Sequence, residues 1–428
     1  EGITLETGMP QVPVLARSLI IPTTAKMHLN ITNSEYVELT LPVAPSKGNL
    51  TRDIDPSTVP YTFADFYQSQ ESYPTDIAYL TEPFILRDYR GITVRIQPFI
   101  YFPATQTLRI YTKLNISVYP QGTDLSNAIL NPKTSYSRYF ESAYQNMFLN
   151  FSAAKYPSLD EEGRILVIKH SMFDATIQPW VAWKRQLGFT VDVVDVTEAG
   201  SSAANIKTYI QNQYNLNNGL MFVQLVGDGP QIPTLTYSSG GSDPSYALLA
   251  GNDNYYDIFV GRFSAQTVAE LETQVTRSIF YERDITAGAD WLEKAVGIAS
   301  SQGGGSQGDM GESDIVHMNN IRTDLLNYGY TTVDQIYDPG ATATQVSNAV
   351  NPGRGFINYC GHGSDAYWVT TNFNNTNANA LTNDNMLPLI VSVACVNGNF
   401  VSQTCFAEAW MRSVNETTNA PAGAITFW

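Results

Sequence analysis

The sequence predicts two domains in succession: an all-β domain over residues 1–155, then an α/β domain over residues 156–428 whose sheet is mainly parallel. Three observations support this division. The first part alternates apolar and polar side chains, the second alternates apolar runs with amphipathic stretches, and the two parts differ in charge. A chain of 428 residues, 43% of them hydrophobic, is long enough for each part to bury a core.

The first domain shows the period of two that is typical of half-buried strands. Clear examples are residues 36–41, 91–96 and 108–111, with proline and glycine between them. No long stretch of helical period occurs before about residues 135–149. We therefore predict an all-β domain here.

The second domain begins with a compact apolar strand at residues 164–168 and then alternates helices with strands. We predict helices through Trp180, Trp183 and Leu187 and over 203–214, 268–283 and 315–328. We predict further strands over 189–196, 221–226, 295–299, 355–359 and 387–394. This order is typical of a parallel sheet covered on both faces. The chain ends on an apolar, strand-like run at 424–428, so we expect this domain to continue beyond it.

Negative charge is concentrated in the second domain. The chain has 24 Lys+Arg and 40 Asp+Glu, a formal net charge of −16. Residues 1–155 hold 12 basic and 13 acidic residues, which leaves −15 for residues 156–428. The absence of a basic run excludes binding to a nucleic acid backbone as the main function. No apolar run approaches the about 20 residues that a membrane span requires.

Two potentially reactive side chains follow apolar strands. His362 comes after the strand at 355–359, and Cys395 comes after the strand at 387–394. The carboxyl ends of parallel strands are where open α/β sheets bind ligands, so we expect both side chains at one edge. An imidazole can take the proton of a thiol whose ordinary pKa is about 8.5, and can then protonate a leaving amine.

Glycines beside both residues leave backbone N–H groups accessible. Those of Gly363 and Cys395 are the predicted donors to the oxyanion of a tetrahedral intermediate. Each residue alone also has a structural interpretation, Cys395 as a small buried hydrophobe and His362 as a locally hydrogen-bonded side chain. Their joint position favours nucleophilic catalysis. The other thiols, at Cys360 and Cys405, do not complete a zinc-ligand spacing.

These motifs resemble the gingipain family of cysteine peptidases, most closely its Arg-gingipain members. The likeness runs through residues 225–228, 251–253, 261–264, 311–315, 337–340, 359–364, 394–398 and 405–409. Residues 44–48 and 83–88 are similar to the propeptide of that family. The resemblance implies a caspase-like α/β catalytic domain after an inhibitory propeptide, in a secreted or cell-surface zymogen.

The resemblance also implies a role for each site residue. His362 is the general acid and base, and Cys395 is the nucleophile. Gln302 stands where the family has an acidic residue that orients the histidine; its carbonyl can accept an imidazole N–H, so we predict a Cys–His dyad supported by Gln302. Asp314 corresponds to the carboxylate at the base of the S1 pocket, where two parallel hydrogen bonds favour Arg over Lys. The residues alone favour the interpretation of Asp314 as a carboxylate that meets the dipole of a helix N-terminus, and both roles can hold at once.

Latency is implied by the propeptide motif. Arg52 aligns with the arginine that fills S1 in the family, and we expect it to pair with Asp314; the residues alone would make it an exposed turn charge. The expected processing junction is Lys155–Tyr156, where the family has arginine. This difference leaves open slow self-cleavage, a partner protease, or acceptance of Lys at P1.

A calcium loop is implied at residues 250–257, with one more ligand from a strand end. The expected ligands are Asp228, Ala250, Asp253, Tyr255 and Asp257. Oxygens at alternate positions suit a hard cation that takes 6–8 oxygen ligands. An acidic, solvated turn is the alternative interpretation, and no organic cofactor is expected.

The sequence thus predicts a cysteine endopeptidase zymogen that cleaves protein and peptide substrates after Arg. Its own propeptide is the expected intramolecular inhibitor. Two alternatives stay open. Gln302 favours a non-catalytic, calcium-stabilised surface binding module of the same fold, and Lys155 favours a peptidase that accepts Lys.

Overall fold

The computed structural model describes residues 2–51, 54–132, 136–152, 158–159, 163–238, 240–303, 311–401 and 403–428. The chain forms two compact units. One comprises Glu1–Asp160 and Leu248–Asp257, and the other comprises Glu161–Ala247 and Ile258–Trp428. The short segment Leu248–Asp257 therefore groups with the N-terminal part of the chain.

The first unit is built from antiparallel strands. Its strands are β1 (Gly2–Ile3), β2 (Pro13–Ile20), β3 (Ala25–Thr40), β4 (Ala78–Leu80), β5 (Phe84–Leu86), β6 (Tyr89–Ile96), β7 (Phe99–Phe102), β8 (Thr107–Thr123), β9 (Tyr136–Ser137) and β10 (Ser158–Leu159), and its helix is α1 (Glu141–Met147). One sheet has the order β1-β2-β6-β4 with β5 on β6, a second has β3-β8-β7, and the short β9 and β10 pair in parallel.

Aromatic side chains form much of the core of this unit. Phe140, Tyr144 and Phe148 are buried around helix α1. The ring of Phe84 stacks on Phe148 with 5.9 Å between the ring centres. The buried aromatic core thus joins strand β5 to the residues in and around helix α1.

The second unit is α/β. Its strands are β11 (Arg164–Lys169), β12 (Thr190–Asp195), β13 (Leu220–Val226), β14 (Leu235–Tyr237), β15 (Gly240–Ser242), β16 (Phe259–Phe263), β17 (Lys294–Ala299), β18 (Thr332–Tyr337), β19 (Phe356–Cys360), β20 (Gly363–Ser364), β21 (Tyr367–Trp368), β22 (Phe373–Asn374), β23 (Leu389–Val393) and β24 (Thr426–Phe427). Its helices are α2 (Gln178–Gln186), α3 (Val196–Ala199), α4 (Ala203–Asn215), α5 (Val268–Arg283), α6 (Asp314–Tyr328), α7 (Ala343–Val350), α8 (Asn375–Asn379) and α9 (Phe406–Arg412). Short 3₁₀ segments occur in the first unit at Pro56–Thr58, Asp65–Gln68, Pro103–Thr105 and Arg138–Phe140, and in the second unit at Ser171–Phe173, Asp243–Ala247 and Asp290–Glu293.

Two parallel sheets organise the second unit. Their strand orders are β12-β11-β13-β16 and β18-β17-β19-β23-β24. The first sheet packs Val167 among helix residues that include Val181 and Leu271. The second packs Ile298 and Ile357 in a cluster with several tryptophan and phenylalanine side chains. The predicted sequence of a β-rich part followed by an α/β part with parallel sheets is confirmed.

Helix α5 shows how local sequence sets these elements. It spans Val268–Arg283, the same bounds that the apolar pattern predicts. Thr267 Oγ1 accepts the Glu270 N–H, and the Glu270 carboxylate accepts the Thr267 N–H at 3.1 Å, which forms a capping box. This exchange satisfies two N–H groups that the first turn leaves without a helical partner.

Candidate active site

Two loops at one edge of the second parallel sheet carry the imidazole and the thiol. Strands β19 and β23 are parallel neighbours, with Cys360 opposite Val393. His362 and Cys395 each lie two residues beyond that pair. The register therefore brings both to the carboxyl-terminal edge of the sheet, where parallel sheets bind ligands.

The two loops touch at Gly363. A Cβ atom at this position would overlap the carbonyl oxygen of Cys395 and would lie 3.0 Å from Nδ2 of Asn397. Close approach of the two backbones therefore requires glycine after the histidine. The thiol of Cys395 is free and exposed, and His362 is half-buried.

Asn397 joins the two loops through its side chain, which is 3% exposed. Its Nδ2 donates to the carbonyl of Ser364 at 2.6 Å and to that of Tyr367 at 3.3 Å. Its Oδ1 accepts the hydroxyl of Ser392 at 2.9 Å. One buried amide thus fixes the thiol loop against the histidine loop. The sequence contains Asn397 within a recognised motif, but gives no sign of which carbonyls it meets.

Tyr359 holds the backbone of His362 in place through a hydrogen bond to its carbonyl. Its hydroxyl donates to the His362 carbonyl at 2.6 Å, and the Val369 N–H donates to the same oxygen at 3.1 Å. Burial raises the pKa of Tyr359, so the hydroxyl keeps its proton and remains a donor. The ring stacks on Trp368 with 4.8 Å between centres. Sequence analysis missed this support because Tyr359 reads only as a buried strand residue.

The residue after the thiol has an unusual backbone conformation. Val396 has a φ of 53°, a region that disfavours β-branched side chains. Its side chain is 51% exposed, so packing of that side chain does not account for the conformation. Such strain is held by the surrounding structure and is common at functional turns.

Gln302 follows strand β17 at the same edge of the sheet, since Ala299 pairs with Cys360. Its backbone N–H donates to Ser300 Oγ at 3.1 Å, and its side chain is exposed. Within the described part of the chain, neither that side chain nor the His362 imidazole has a hydrogen-bond partner. Orientation of His362 by Gln302 therefore stays a prediction.

Asp314 is the first residue of helix α6 and is 4% exposed. Ser300 Oγ donates to its Oδ2 at 2.6 Å, and the Ser300 N–H donates to the Cys360 carbonyl at 3.0 Å. A Cβ on Gly303, whose φ is 75°, would lie 2.9 Å from Asp314 Oδ1. The carboxylate therefore lies beside the end of the strand that precedes His362. Its role in substrate binding stays a prediction.

Three further predicted residues lie outside the described part of the chain. They are Arg52, the expected inhibitory arginine, and Lys155 and Tyr156, the expected processing junction.

Asp228 follows strand β13 and is fully buried. Burial alone would raise the pKa of its carboxyl, but hydrogen bonds from Gln266, the Gly229 N–H and Arg412 outweigh it, so the pKa is lowered. Gln266 Nε2 donates to Asp228 Oδ2 at 2.6 Å, and Arg412 Nη2 lies 3.2 Å from the same oxygen. The positive charge beside Asp228 is thus already supplied by an arginine that also pairs with Glu408 at 2.6 Å.

The other expected calcium ligands lie in segment 248–257 of the first unit. Asp257 accepts the N–H groups of Leu249 and Ala250 at 2.7 Å each, and that of Arg87 at 3.1 Å. Asp253 accepts the Ile85 N–H at 2.8 Å among other donors. The carboxylate oxygens of Asp253 and Asp257 therefore face N–H donors, which is not the arrangement expected of calcium ligands.

The described residues contain no group of three or more His, Cys, Asp or Glu side chains placed to hold a metal ion. Calcium binding stays a prediction that these contacts do not support. Among the helices that the structure describes, none is long and apolar enough to cross a bilayer.

Comparison with known proteins places this geometry in a family. Residues 158–428 match the model of peptidase family C25, and residues 1–148 match that of the C25 propeptide. Gingipain R1 of Porphyromonas gingivalis is 40% identical over 433 residues, which cover 99% of this chain and 43% of that protein. The chain thus spans less than half the length of this relative.

Two solved structures are similar as well. The crystal structure of the Arg specific cysteine proteinase gingipain R (RGPB) is 41% identical with a TM-score of 0.60, over 63% of this chain and 62% of that one. The complex of Porphyromonas gingivalis RgpB pro- and mature domains is 41% identical with a TM-score of 0.60, over 62% of this chain and 63% of that one. The two family matches together cover nearly the whole chain, which therefore belongs to peptidase family C25 and carries the propeptide of that family.

Proposed function

We propose that this chain is the secreted zymogen of a cysteine endopeptidase that cleaves after Arg. The observation that carries the proposal is the contact between two loops on neighbouring parallel strands, one bearing His362 and the other the exposed thiol of Cys395. Membership of a cysteine peptidase family supports the same chemistry.

The proposed reaction uses these two side chains in turn. His362 takes the proton of the Cys395 thiol, and the thiolate attacks the carbonyl carbon of the scissile bond. Backbone N–H groups of Gly363 and Cys395 stabilise the oxyanion of the tetrahedral intermediate. As the C–N bond breaks, His362 gives its proton to the leaving amine. Water, deprotonated by His362, then hydrolyses the thioester and restores the thiol.

Arg specificity is assigned to Asp314. A buried carboxylate can bind the two N–H groups of a guanidinium side by side, which an ammonium cannot match. Two observations support this assignment: the burial of Asp314 beside strand β19, and the similarity to a structure described as an Arg specific cysteine proteinase.

Latency is assigned to the N-terminal part of the chain. The match to the C25 propeptide and the similarity to a complex of RgpB pro- and mature domains support this assignment. In this proposal Arg52 pairs with Asp314 until the junction Lys155–Tyr156 is cut, and the released enzyme acts on protein and peptide substrates outside the cell.

The proposal is tested with processed protein and paired peptides that differ only in Arg or Lys before the scissile bond. We expect the Arg peptide to be cleaved at least about 100-fold more efficiently, since the bidentate contact is worth a few kcal/mol. Cys395→Ala is the control and should cleave neither peptide. Equal or faster cleavage of the Lys peptide would contradict the role of Asp314. Failure to cleave either peptide would favour the non-catalytic binding module.

A further inference from the structure

Segment Leu248–Asp257 lies in the peptidase part of the sequence but packs into the first unit. The family model for the peptidase covers it, whereas its contacts group it with residues 1–160. Its contacts within that unit are therefore contacts between the propeptide sequence and the peptidase sequence.

Two aspartates of the segment accept backbone N–H groups, one from strand β5 and one from the turn that joins β5 to β6. This strand pairs with β6 along one side, so alternate amide groups face the other way. The Ile85 N–H donates to Asp253 Oδ2 at 2.8 Å, and the Arg87 N–H donates to Asp257 Oδ1 at 3.1 Å. Asp253 thus takes the place of a neighbouring strand at Ile85, and Asp257 binds the following turn at Arg87, both with charge-assisted hydrogen bonds.

Further contacts surround this edge. Asn127 Oδ1 accepts the Asn252 N–H at 2.8 Å. The rings of Phe84 and Tyr255 stack with 4.0 Å between their centres. The guanidinium of Arg87 donates to the backbone carbonyl of Asp257, and both residues are buried. The contact therefore combines apolar stacking, buried polar groups and matched N–H donors.

We propose that segment 248–257 is the docking surface that retains the propeptide after the junction is cut. This inference rests on the proposed function in that it takes residues 1–155 to be a propeptide severed at Lys155–Tyr156. Cutting the chain then leaves the complex intact, and release requires the loss of the contacts at Asp253 and Asp257. In this proposal the carboxylate oxygens of Asp253 and Asp257 bind backbone N–H groups of the hairpin formed by β5 and β6 rather than a cation.

The test uses the whole chain with Cys395→Ala and a recognition site for an unrelated protease inserted between Lys155 and Tyr156. After cleavage, size-exclusion chromatography over a dilution series gives the dissociation constant of the N-terminal piece. We expect Asp253→Ala to raise this constant about 10- to 100-fold, because it removes the acceptor of the Ile85 N–H. Asn254→Ala is the matched control, since Asn254 is exposed in the same loop, and should behave like the parent.

Asp253→Asn is a second variant in case Asp253→Ala does not fold. It keeps an acceptor oxygen and loses the charge, so we expect a smaller increase in the same direction. The proposal is overturned if both variants dissociate like the parent. It is also overturned if calcium raises the melting temperature of the uncut chain only when Asp253 is present. Neither readout uses peptidase activity, so failure of the proposed function would not produce either result.

Discussion

Asn397 connects the loop of the thiol to the loop of the histidine by a single buried amide. We expect Asn397→Ala to lower kcat/KM about 10- to 100-fold, mainly through kcat, because a small displacement of reacting groups has an effect of this size. Asn379→Ala, an exposed asparagine on helix α8, is the control. Steady-state kinetics on the processed enzyme measure both. A variant at position 397 as active as the control would show that this amide does not position the site.

For single residues, the sequence predicts which side chains react but not which contacts hold them in place. His362, Cys395 and Asp314 are visible because each follows a strand or opens a helix in a recognisable motif. The roles of Asn397 and Tyr359 depend on which backbone carbonyls lie within reach, such as those of Ser364 and His362. Those positions come from the folding of short loops, which residue type and spacing do not determine.

Helix α5 holds the C-terminal segment of the chain through Arg277, which is fully buried. Its guanidinium donates to the carbonyls of Trp410 at 3.2 Å and Ser413 at 3.0 Å, and also to that of Ala424. Burial lowers its pKa to about 9, which leaves it charged at neutral pH. The arginine therefore ties helix α9 and the following strand to α5.

We expect Arg277→Met to lower the free energy of unfolding by about 3 kcal/mol or more, since three buried carbonyls lose their donor. Urea unfolding of the Cys395→Ala chain measures it. Arg283→Ala, in the exposed last turn of the same helix, is the control and should have a much smaller effect. If both variants lost the same free energy of unfolding relative to the parent, this account of Arg277 would be contradicted.

The N-cap of helix α3 provides a pH-dependent contribution to stability. Asp195 accepts the Thr197 N–H at 3.0 Å and the Lys169 ammonium at 2.9 Å. Burial opposes ionisation, but these donors outweigh it and lower the pKa from 3.8 to about 2. A lowered pKa means that the stabilisation is present above about pH 4 and is lost as the pH falls through about 2.

Asp195→Ala should therefore destabilise the chain by about 1 kcal/mol at pH 6, the usual effect of losing an N-cap. The difference from the parent should shrink as the pH falls from 4 to 2. Urea unfolding across this pH range checks it. If the difference in unfolding free energy between the parent and Asp195→Ala stayed constant down to pH 2, ionised Asp195 would not be the source of the stabilisation.

Helices and strands were predicted correctly where the apolar pattern was uninterrupted. Helix α5 and strand β19 follow from continuous apolar periodicity. Strand β18 and helix α7 were not predicted, because β18 is an edge strand whose apolar residues are interrupted by polar ones, and α7 has only 8 residues. The two-residue strands β20, β21 and β22 carry no periodicity at all, and only tertiary packing around Trp368 forms them.

For the whole molecule, the order of a β-rich part and an α/β part was predictable, since the change in pattern and charge is abrupt. The sequence did not predict that segment 248–257 belongs to the N-terminal unit. The segment lies between strands of the peptidase part, yet its carboxylates and tyrosine contact the N-terminal part. Such long-range contacts leave no periodic signal in the sequence.

The charge distribution fits the proposed substrate. Nearly all of the net charge of −16 lies after residue 155. A negative field of this kind attracts cationic side chains and speeds their encounter with a buried carboxylate. In the proposed zymogen, the near-neutral N-terminal part is expected to contribute one arginine, Arg52, to that site.

The central claim is that Cys395 is a nucleophile in a site that binds Arg, and covalent labelling tests it most directly. The processed chain is treated with a peptide electrophile that ends in Arg, and the labelled residue is located by mass spectrometry. Cys360 and Cys405 are buried, and burial together with the Glu408 charge raises the pKa of Cys405 to about 12, so neither should react. We predict labelling at Cys395 alone, strongly slowed by His362→Ala. No labelling of Cys395, or equal labelling in the His362→Ala variant, would contradict the account.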